Sequence, residues 1–448
     1  MLDKRFQKEL KSILFFALEY GMKHTNMKYT KFDNKDFIIK VHEGYMKAQK
    51  LIIQHLLILG KAKNKEKVKL KEARRNKNKE LVSTIELKLN NIEYKENILR
   101  KVADSIAWII LQEDSTKIKR LFLDSPQVEI YNSNLNHDLK FIEEIFNENN
   151  LNFALLTDIT SFIQISDVLL VDIIEKKIKF IELKEGSIND DISNVLLNLT
   201  ETKCEFALYQ QLKDKDEKYL KQLNRVVKQI DKSNKVLNTI NAGEGVDYAT
   251  GFKITISEGI FEPKYYELII RDMLNEVNKK NYSLRTIDDC LIIGVYNSKA
   301  IPIQTGFNSW KKKCGIDFPT VDIRIFLKSP VARPFFLNNF SIEDKVDVLS
   351  GNKHILMALD FNKWIEILES EGIEVELLSQ KVTRRYNTVP SPQRVFEYNG
   401  QAIKIKYNGF EEILAGGLFE KMFNQFFKPT SVIEFIKFRS KVSDKRGQ

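Results

Sequence analysis

At 448 residues the chain is long enough for two or three separate cores, and 43% hydrophobic with 29% charged residues excludes a disordered or membrane-spanning class. Lysine and arginine number 71 against 61 aspartates and glutamates, a net charge of +10 that favours an anionic partner without naming it. Three scattered cysteines, Cys204, Cys290 and Cys314, exclude a disulfide framework or a cysteine-based zinc site, both of which need close pairs.

Charges interrupt the apolar residues of positions 1–20, so no signal-peptide core is expected there. No later run reaches membrane-spanning length, and the expected setting is the cytoplasm, with no membrane partner. Residues 1–112 are rich in lysine, leucine and isoleucine, nearly free of glycine, and apolar at helical spacing, which predicts helices. Residues 61–79 form a dense basic run around Arg74 and Arg75, placed on or between two long antiparallel helices. The plainer reading of that run is a solvated helical face; the other is an arm that contacts phosphates. Over 96–111, Ile98, Val102, Ile106, Ile109 and Ile110 share a side with Trp108 nearby, which predicts a packing surface.

Beyond Ser125-Pro126 the composition changes. A helix is expected over 137–149, then extended runs at 152–156, 162–174 and 177–183, whose β-branched residues predict strands. A long helix follows over 216–239, closed by the glycine-containing turn 241–245. A strand at 252–256, a helix at 263–280 and a strand at 290–296 are candidates to complete the central sheet. The remainder carries most of the prolines and a hairpin in which Asn399-Gly400 joins 395–398 to 402–407. The chain thus reads as mixed α/β: a helical region over 1–125, a central core over 126–300, and an α+β accessory region over 301–448.

The chemistry concentrates in residues 166–186, two apolar strands joined near Glu175-Lys176-Lys177. Strands buried on both faces do not ordinarily hold Asp167, Glu182 and Lys184, because an uncompensated buried charge costs several kcal/mol. A divalent cation would compensate the carboxylates. Side chains two apart share a strand face, so Glu182 and Lys184 point together, and an antiparallel partner brings Asp167 beside them while Asp172 faces away. Two carboxylates and the main-chain carbonyl of Leu183 form an oxygen ligand set that suits Mg²⁺ or Mn²⁺. Lys184 would orient a water and offset charge developing on a phosphodiester.

An aspartate opening one hydrophobic strand and Glu-x-Lys ending the next resembles the PD-(D/E)xK nuclease superfamily, with its restriction-endonuclease-like core sheet flanked by helices. The resemblance spans roughly residues 137–240, and Ser166 stands where relatives usually carry proline or glycine. It implies hydrolysis of nucleic acid, DNA first, with Mg²⁺ or Mn²⁺. It also implies phosphate-positioning roles for Gln222, Lys221 and Arg225 on the long helix, and an additional metal-binding glutamate at Glu143. Three other Glu-x-Lys triplets, beginning at Glu86, Glu93 and Glu262, lie in helical pattern or span a proline and lack the strand context. Asp158 reads as a turn aspartate or a secondary acidic ligand. Arg384 and Arg385 next to Tyr386 combine phosphate-binding and base-stacking side chains in the C-terminal region. The five histidines are dispersed without metal-ligand spacing.

Flanking regions around such a core suggest a stand-alone prokaryotic defence or restriction nuclease, a homo-oligomer or a protein with a partner. Two rivals remain: a nucleic-acid-binding or assembly protein whose core has lost activity, and a nuclease toxin restrained by a partner protein.

Overall fold

A computed structural model describes residues 2–25, 34–125, 129–130, 135–173, 177–183, 191–192, 195, 211–213, 215–246, 248, 251, 253–255, 261–298, 302–387 and 395–444. The N-terminal region is helical: α1 (Lys4–Leu14), a π-helical turn (Phe15–Glu19), α2 (Tyr20–His24), and the long pair α3 (Asn34–Arg75) and α4 (Lys79–Ile110). Lys77 takes a positive φ of 53° in the turn between the long helices. Asn78 caps α4 by accepting the Leu81 N–H at 3.0 Å. The buried stripe of α4 includes Ile98, Leu99, Val102, Ala103 and Ile106. Ile109, expected on that stripe, is 39% exposed, because the packed face turns toward Leu99 and Ala103.

After α5 (Ser115–Leu121) and α6 (Leu135–Glu148) comes an antiparallel meander of β1 (Asn152–Leu156), β2 (Val168–Asp172) and β3 (Lys177–Ile181). Its register pairs Leu156 with Val168 and Val168 with Ile181. The outer edge of β1 is closed by a side chain of α3. The Gln49 amide donates to the Ala154 carbonyl at 3.1 Å and accepts the Leu156 N–H at 2.8 Å, replacing a strand neighbour with a glutamine. On the other side, β3 is the edge strand among the described residues, and Ile178 is 38% exposed, so β3 is less buried than its composition suggests.

The expected strand over 162–174 begins only at Val168. Residues 157–167 form a short 3₁₀ turn and a buried loop instead, because side chains take the backbone groups a strand would need. Thr160 Oγ1 donates to the Thr157 carbonyl at 2.7 Å and accepts the Ile163 N–H at 3.2 Å. The Gln164 N–H donates to the Leu121 carbonyl at 3.0 Å.

Helix α7 (Glu217–Ala242) starts at Asp216, whose carboxylate accepts the Tyr219 N–H at 2.7 Å, and stops at Gly243 with φ of 70°. The strands expected to complete the central sheet do not join it. β5 (Lys253–Thr255) pairs with β4 (Glu244–Val246). β6 (Tyr282–Ile287) and β7 (Leu291–Asn297) form a hairpin through Asp288 and Asp289, both at positive φ, a left-handed turn that matches strand twist. That hairpin continues into a four-stranded sheet with β8 (Val321–Asp322) and β9 (Lys353–Leu359), in the order β6-β7-β9-β8. The sheet therefore straddles residue 300.

Helices α8 (Glu267–Glu276), α9 (Ile303–Lys313), α10 (Ile342–Ser350) and α11 (Phe361–Ser370) accompany this sheet. The last part holds β10 (Glu374–Leu377), α12 (Gln380–Asn387), β11 (Glu397–Tyr398), β12 (Gln401–Tyr407), β13 (Phe410–Ile413), α13 (Gly416–Phe423) and α14 (Pro429–Asp444). The hairpin at Asn399-Gly400 forms as the sequence predicts, with φ of 50° and 75°. Most buried apolar side chains from Leu2 to Ile436 form one cluster, so the mixed α/β fold has a shared interior, while Ile192, Tyr219 and Val226 form a second, small cluster. Among the described residues no helix is long and apolar enough to cross a membrane.

Candidate active site

The β2–β3 register ends on the pair Val168–Ile181, so Asp167 and Glu182 are the next residues beyond that pair at one end of the meander. Asp167 is held from both sides: its N–H donates to the Ile181 carbonyl at 3.1 Å, and its carbonyl accepts the Thr157 N–H at 2.9 Å. Its carboxylate Oδ2 accepts the Leu183 N–H at 2.7 Å, which fixes the start of β2 to the chain leaving β3. Glu182 Oε2 accepts a hydrogen bond from Gln229 Nε2 at 3.2 Å. Asp172 lies away from this end and pairs with Lys179 at 3.6 Å, as the strand parity predicts.

A recess of about 190 Å³ opens here, with Asp158, Asp167, Glu182, Gln229 and Lys232 among its walls. Helix α7 forms one wall and is tied to the loop before β2: Ser233 Oγ donates to the Ile165 carbonyl at 2.6 Å and Lys232 Nζ to the Gln164 carbonyl at 3.3 Å. Burial pulls the Lys232 ammonium below its usual pKa, while the Glu182 charge works against that shift. Asp158 is pushed up to about 6, first by burial and then by the negative charges of Asp167 and Asp138, with Arg100 opposing. Among the described residues the walls carry three carboxylates, Asp158, Asp167 and Glu182, and one ammonium, Lys232.

The loop that carries Asp158 is fastened to α4. Arg100 Nη1 donates to the carbonyls of Asp158 and, at 3.1 Å, Thr160. Asp104, fully buried, pairs with Lys101 at 2.9 Å and accepts the Ser161 N–H at 2.7 Å and the Ser161 hydroxyl. Lys101 in turn donates to the Pro330 carbonyl at 3.0 Å. Every charge in this knot meets an opposite charge or a dipole, the condition under which a buried pair is tolerated.

The other residues singled out from the sequence are placed as follows. Leu183 is half-buried beside Asp167, and Lys184 lies outside the described residues. Glu143 on α6 forms an ion pair with Lys50 of α3 at 2.8 Å and is not among the walls of the recess. On α7, Lys221 is exposed and paired with Glu217 at 2.7 Å, Arg225 is exposed, and Gln222 is half-buried. The residues of α7 that reach the recess are Gln229 and Lys232, the first of them two turns, or about 10 Å, beyond Gln222. Arg384 and Arg385 stand exposed on α12, which is pinned to β12 by Thr383 Oγ1 accepting the Ala402 N–H at 2.8 Å. Neither contributes to the recess.

The sequence pattern does not single out Gln229 or Lys232, and Asp158, which it reads as a turn aspartate or a secondary acidic ligand, lies in the wall of the recess. The heptad step from Gln222 to Gln229 keeps both on one face of α7, so the face was readable, but the height at which the helix crosses the sheet is set by the Ser233 contact.

Among the described residues no three or more histidine, cysteine, aspartate or glutamate side chains gather as a ligand cluster. Asp167 and Glu182 offer a two-carboxylate, all-oxygen donor set, which fits a cation that keeps most of its water, as Mg²⁺ does.

The strained carboxyl gives a pH-dependent test. An Asp158 pKa of about 6 in the folded protein, against 3.8 for the ordinary group, means the folded state holds the proton more tightly. Stability therefore falls as pH rises from about 4 to about 6, and the cost is fully present at neutral pH. Asp158→Asn is expected to raise unfolding stability in EDTA by on the order of 1–3 kcal/mol near neutral pH, with little difference near pH 4. Urea unfolding at both pH values checks this; an equal shift at both would show that the carboxyl carries no such burden.

No protein-family model, curated protein or solved structure matches this chain.

Proposed function

We propose that the recess between β2, β3 and α7 is the cutting centre of a Mg²⁺- or Mn²⁺-dependent nuclease of the PD-(D/E)xK type, acting on DNA. The observation that carries this reading is that Asp167 and Glu182 sit just beyond the last paired residues of two adjacent antiparallel strands and both line a recess that also holds Gln229 and Lys232. The order of α6, the meander β1-β2-β3 and then α7 supports it, because the resembled core places a helix on each side of the strands that bear its acidic residues. A role in prokaryotic defence rests on the resemblance alone.

In this reading Asp167 and Glu182 would hold the cation through carboxylate oxygens, and the main-chain carbonyl of Leu183 would be available as a further oxygen ligand. The cation, when bound, supplies Lewis acidity toward a phosphate oxygen and lowers the pKa of water. Gln229 keeps Glu182 in place through its hydrogen bond. Lys232 sets a positive charge in the same wall, where a phosphate oxygen would gain negative charge. Lys184, one residue past Leu183, is assigned the orientation of the attacking water. Hydrolysis breaks the P–O bond to the departing oxygen as the water oxygen bonds to phosphorus, so one proton must leave the attacking water and one must reach the departing oxygen, the latter from solvent water. Asp158, with its pKa of about 6, is ionised at neutral pH and can take up a proton.

The test is incubation of supercoiled and linear DNA with the protein in Mg²⁺ and in EDTA, alongside Lys184→Ala and Asp167→Asn. Cutting that requires Mg²⁺ and is lost in both variants is expected. Equal cutting by all three proteins would remove the assignment, and no cutting by the unaltered chain would favour a binding protein on the same scaffold.

A further inference from the structure

The net charge of the chain is concentrated in one place. Residues 61–79 carry ten lysines and arginines against two glutamates, Glu66 and Glu72, in a protein whose whole net charge is +10. They occupy the far end of α3 and the turn into α4. Between Gly60 and Ile98 only Ala73 and Ile85 are buried, so this end of the helical pair projects from the shared core. At 1.5 Å per residue, the stretch of α3 from Lys61 to Arg75 is about 21 Å long.

The arrangement works against the helix that bears it. Lys61, Lys65 and Lys69 recur every fourth residue, and so do Lys63, Lys67, Lys71 and Arg75. Like charges at this spacing face each other along a helix and cost a few tenths of a kcal/mol per pair. Some of the strain is relieved internally: Lys63 pairs with Glu96 at 2.6 Å, Lys69 with Glu66 at 2.6 Å, Arg74 with Glu86 at 2.9 Å, and Lys67 with Glu129. Among the described residues, Lys61, Lys65, Lys71, Arg75, Lys77 and Lys79 have no such ion pair. Lys71, Arg74 and Arg75 line a shallow groove with Lys67 and Leu70. A helix that tolerates this self-repulsion is completed by a polyanion, which replaces repulsion with attraction along its length.

The chemistry of the arm selects among polyanions. Residues 61–93 contain no phenylalanine, tyrosine, tryptophan or histidine, so the arm has no platform on which unpaired bases could stack. Its exposed apolar residues, Val68 on α3 with Leu81 and Leu87 on α4, are isolated and make no continuous face for a lipid surface. What remains is a rod of point charges suited to phosphates at regular spacing.

We propose that the α3–α4 hairpin is a DNA-gripping arm whose distal cations, Lys61, Lys65, Lys71, Arg75, Lys77 and Lys79, hold the phosphate backbone of the double helix without reading its sequence. The inference goes beyond the cutting reaction, since binding by the arm requires neither a cation at Asp167 nor hydrolysis.

The experiment measures binding of the full chain to a random-sequence DNA duplex by fluorescence anisotropy across a salt series, in EDTA so that no cutting occurs. Three proteins are compared: the unaltered chain, an arm variant with Lys61, Lys65, Lys71 and Arg75 each changed to Gln, and a control with Lys279, Lys280, Lys312 and Lys313 each changed to Gln. All eight positions are helical or exposed, and glutamine matches lysine and arginine in helix propensity, so the folds are retained. The arm variant is expected to bind at least about tenfold more weakly at low salt, with a log–log salt slope reduced by about 4, while the control stays near the unaltered chain. Equal losses in arm variant and control, an unchanged salt slope in the arm variant, no duplex binding by the unaltered chain, or tighter binding to anionic lipid vesicles than to duplex would each overturn the proposal. An unaltered chain that grips duplex through the arm in EDTA but does not cut it in Mg²⁺ would count against the recess and support the arm by itself.

Discussion

Replacing Asp167 by asparagine is expected to lower DNA cutting by about 10²–10³-fold while leaving the urea midpoint of unfolding unchanged. The side chain has two separable tasks. Its charge is the part a cation would use, and its Oδ2 is the acceptor that ties the Leu183 N–H to the start of β2 at 2.7 Å. Asparagine presents an oxygen of the same shape, so it keeps the tie and removes the charge. Alanine removes both, and Asp167→Ala is expected to lose a further 1–2 kcal/mol of stability, roughly the worth of a hydrogen bond to a charged acceptor in a partly wet site. An asparagine variant that cuts at the unaltered rate would show that the carboxylate takes no part in the chemistry, whatever alanine does.

Asp104→Ala is expected to be the most destabilising single change of the two discussed, at about 3–5 kcal/mol. Asp104 has no exposed surface, and truncating it leaves the Lys101 ammonium, only 2% exposed, without its partner at 2.9 Å, and the Ser161 N–H without its acceptor. Changing Lys101 to Met and Asp104 to Leu together should recover much of that loss, because no charge is then stranded. Chemical denaturation of the single and double variants measures the difference; a double variant as unstable as Asp104→Ala would mean that the pair is needed as a pair. The knot also sets the path of residues 157–167, so the double variant should fold yet cut more slowly, having lost the anchor of the loop that brings Asp158 to the recess.

The legible part of this fold is the part governed by local rules. The two long helices, the helix beginning at Asp216 and the Asn399-Gly400 hairpin follow from periodicity, capping and turn chemistry, all contained within a few residues. The co-directionality that singled out Asp167 over Asp172 depends only on strand parity and antiparallel pairing, and both aspartates lie where that parity puts them. What the sequence concealed depends on contacts far along the chain. Phe162, Ile163 and Ile165 read as a strand because they are apolar, yet their loop is held by Asp104, Leu121 and Ser233, which no local window contains. The strand at Leu291–Asn297 found its partner at Lys353–Leu359 and not in the meander, a choice made by packing among equally hydrophobic runs. Lys232 entered the recess for the same reason: it lies next to Ser233, and the position of Ser233 is set by a bond to a loop 68 residues earlier.

One helix links the meander to the proposed arm. Gln49 seals the edge of β1, and Arg75 ends the same uninterrupted α3, 26 residues further on or about 39 Å away along the axis. The span acts as a ruler. At 3.4 Å per base pair it corresponds to roughly eleven base pairs, about one turn of the double helix, so under the two proposals above a fragment would have to reach that order of length for the arm and the carboxylates to engage it together.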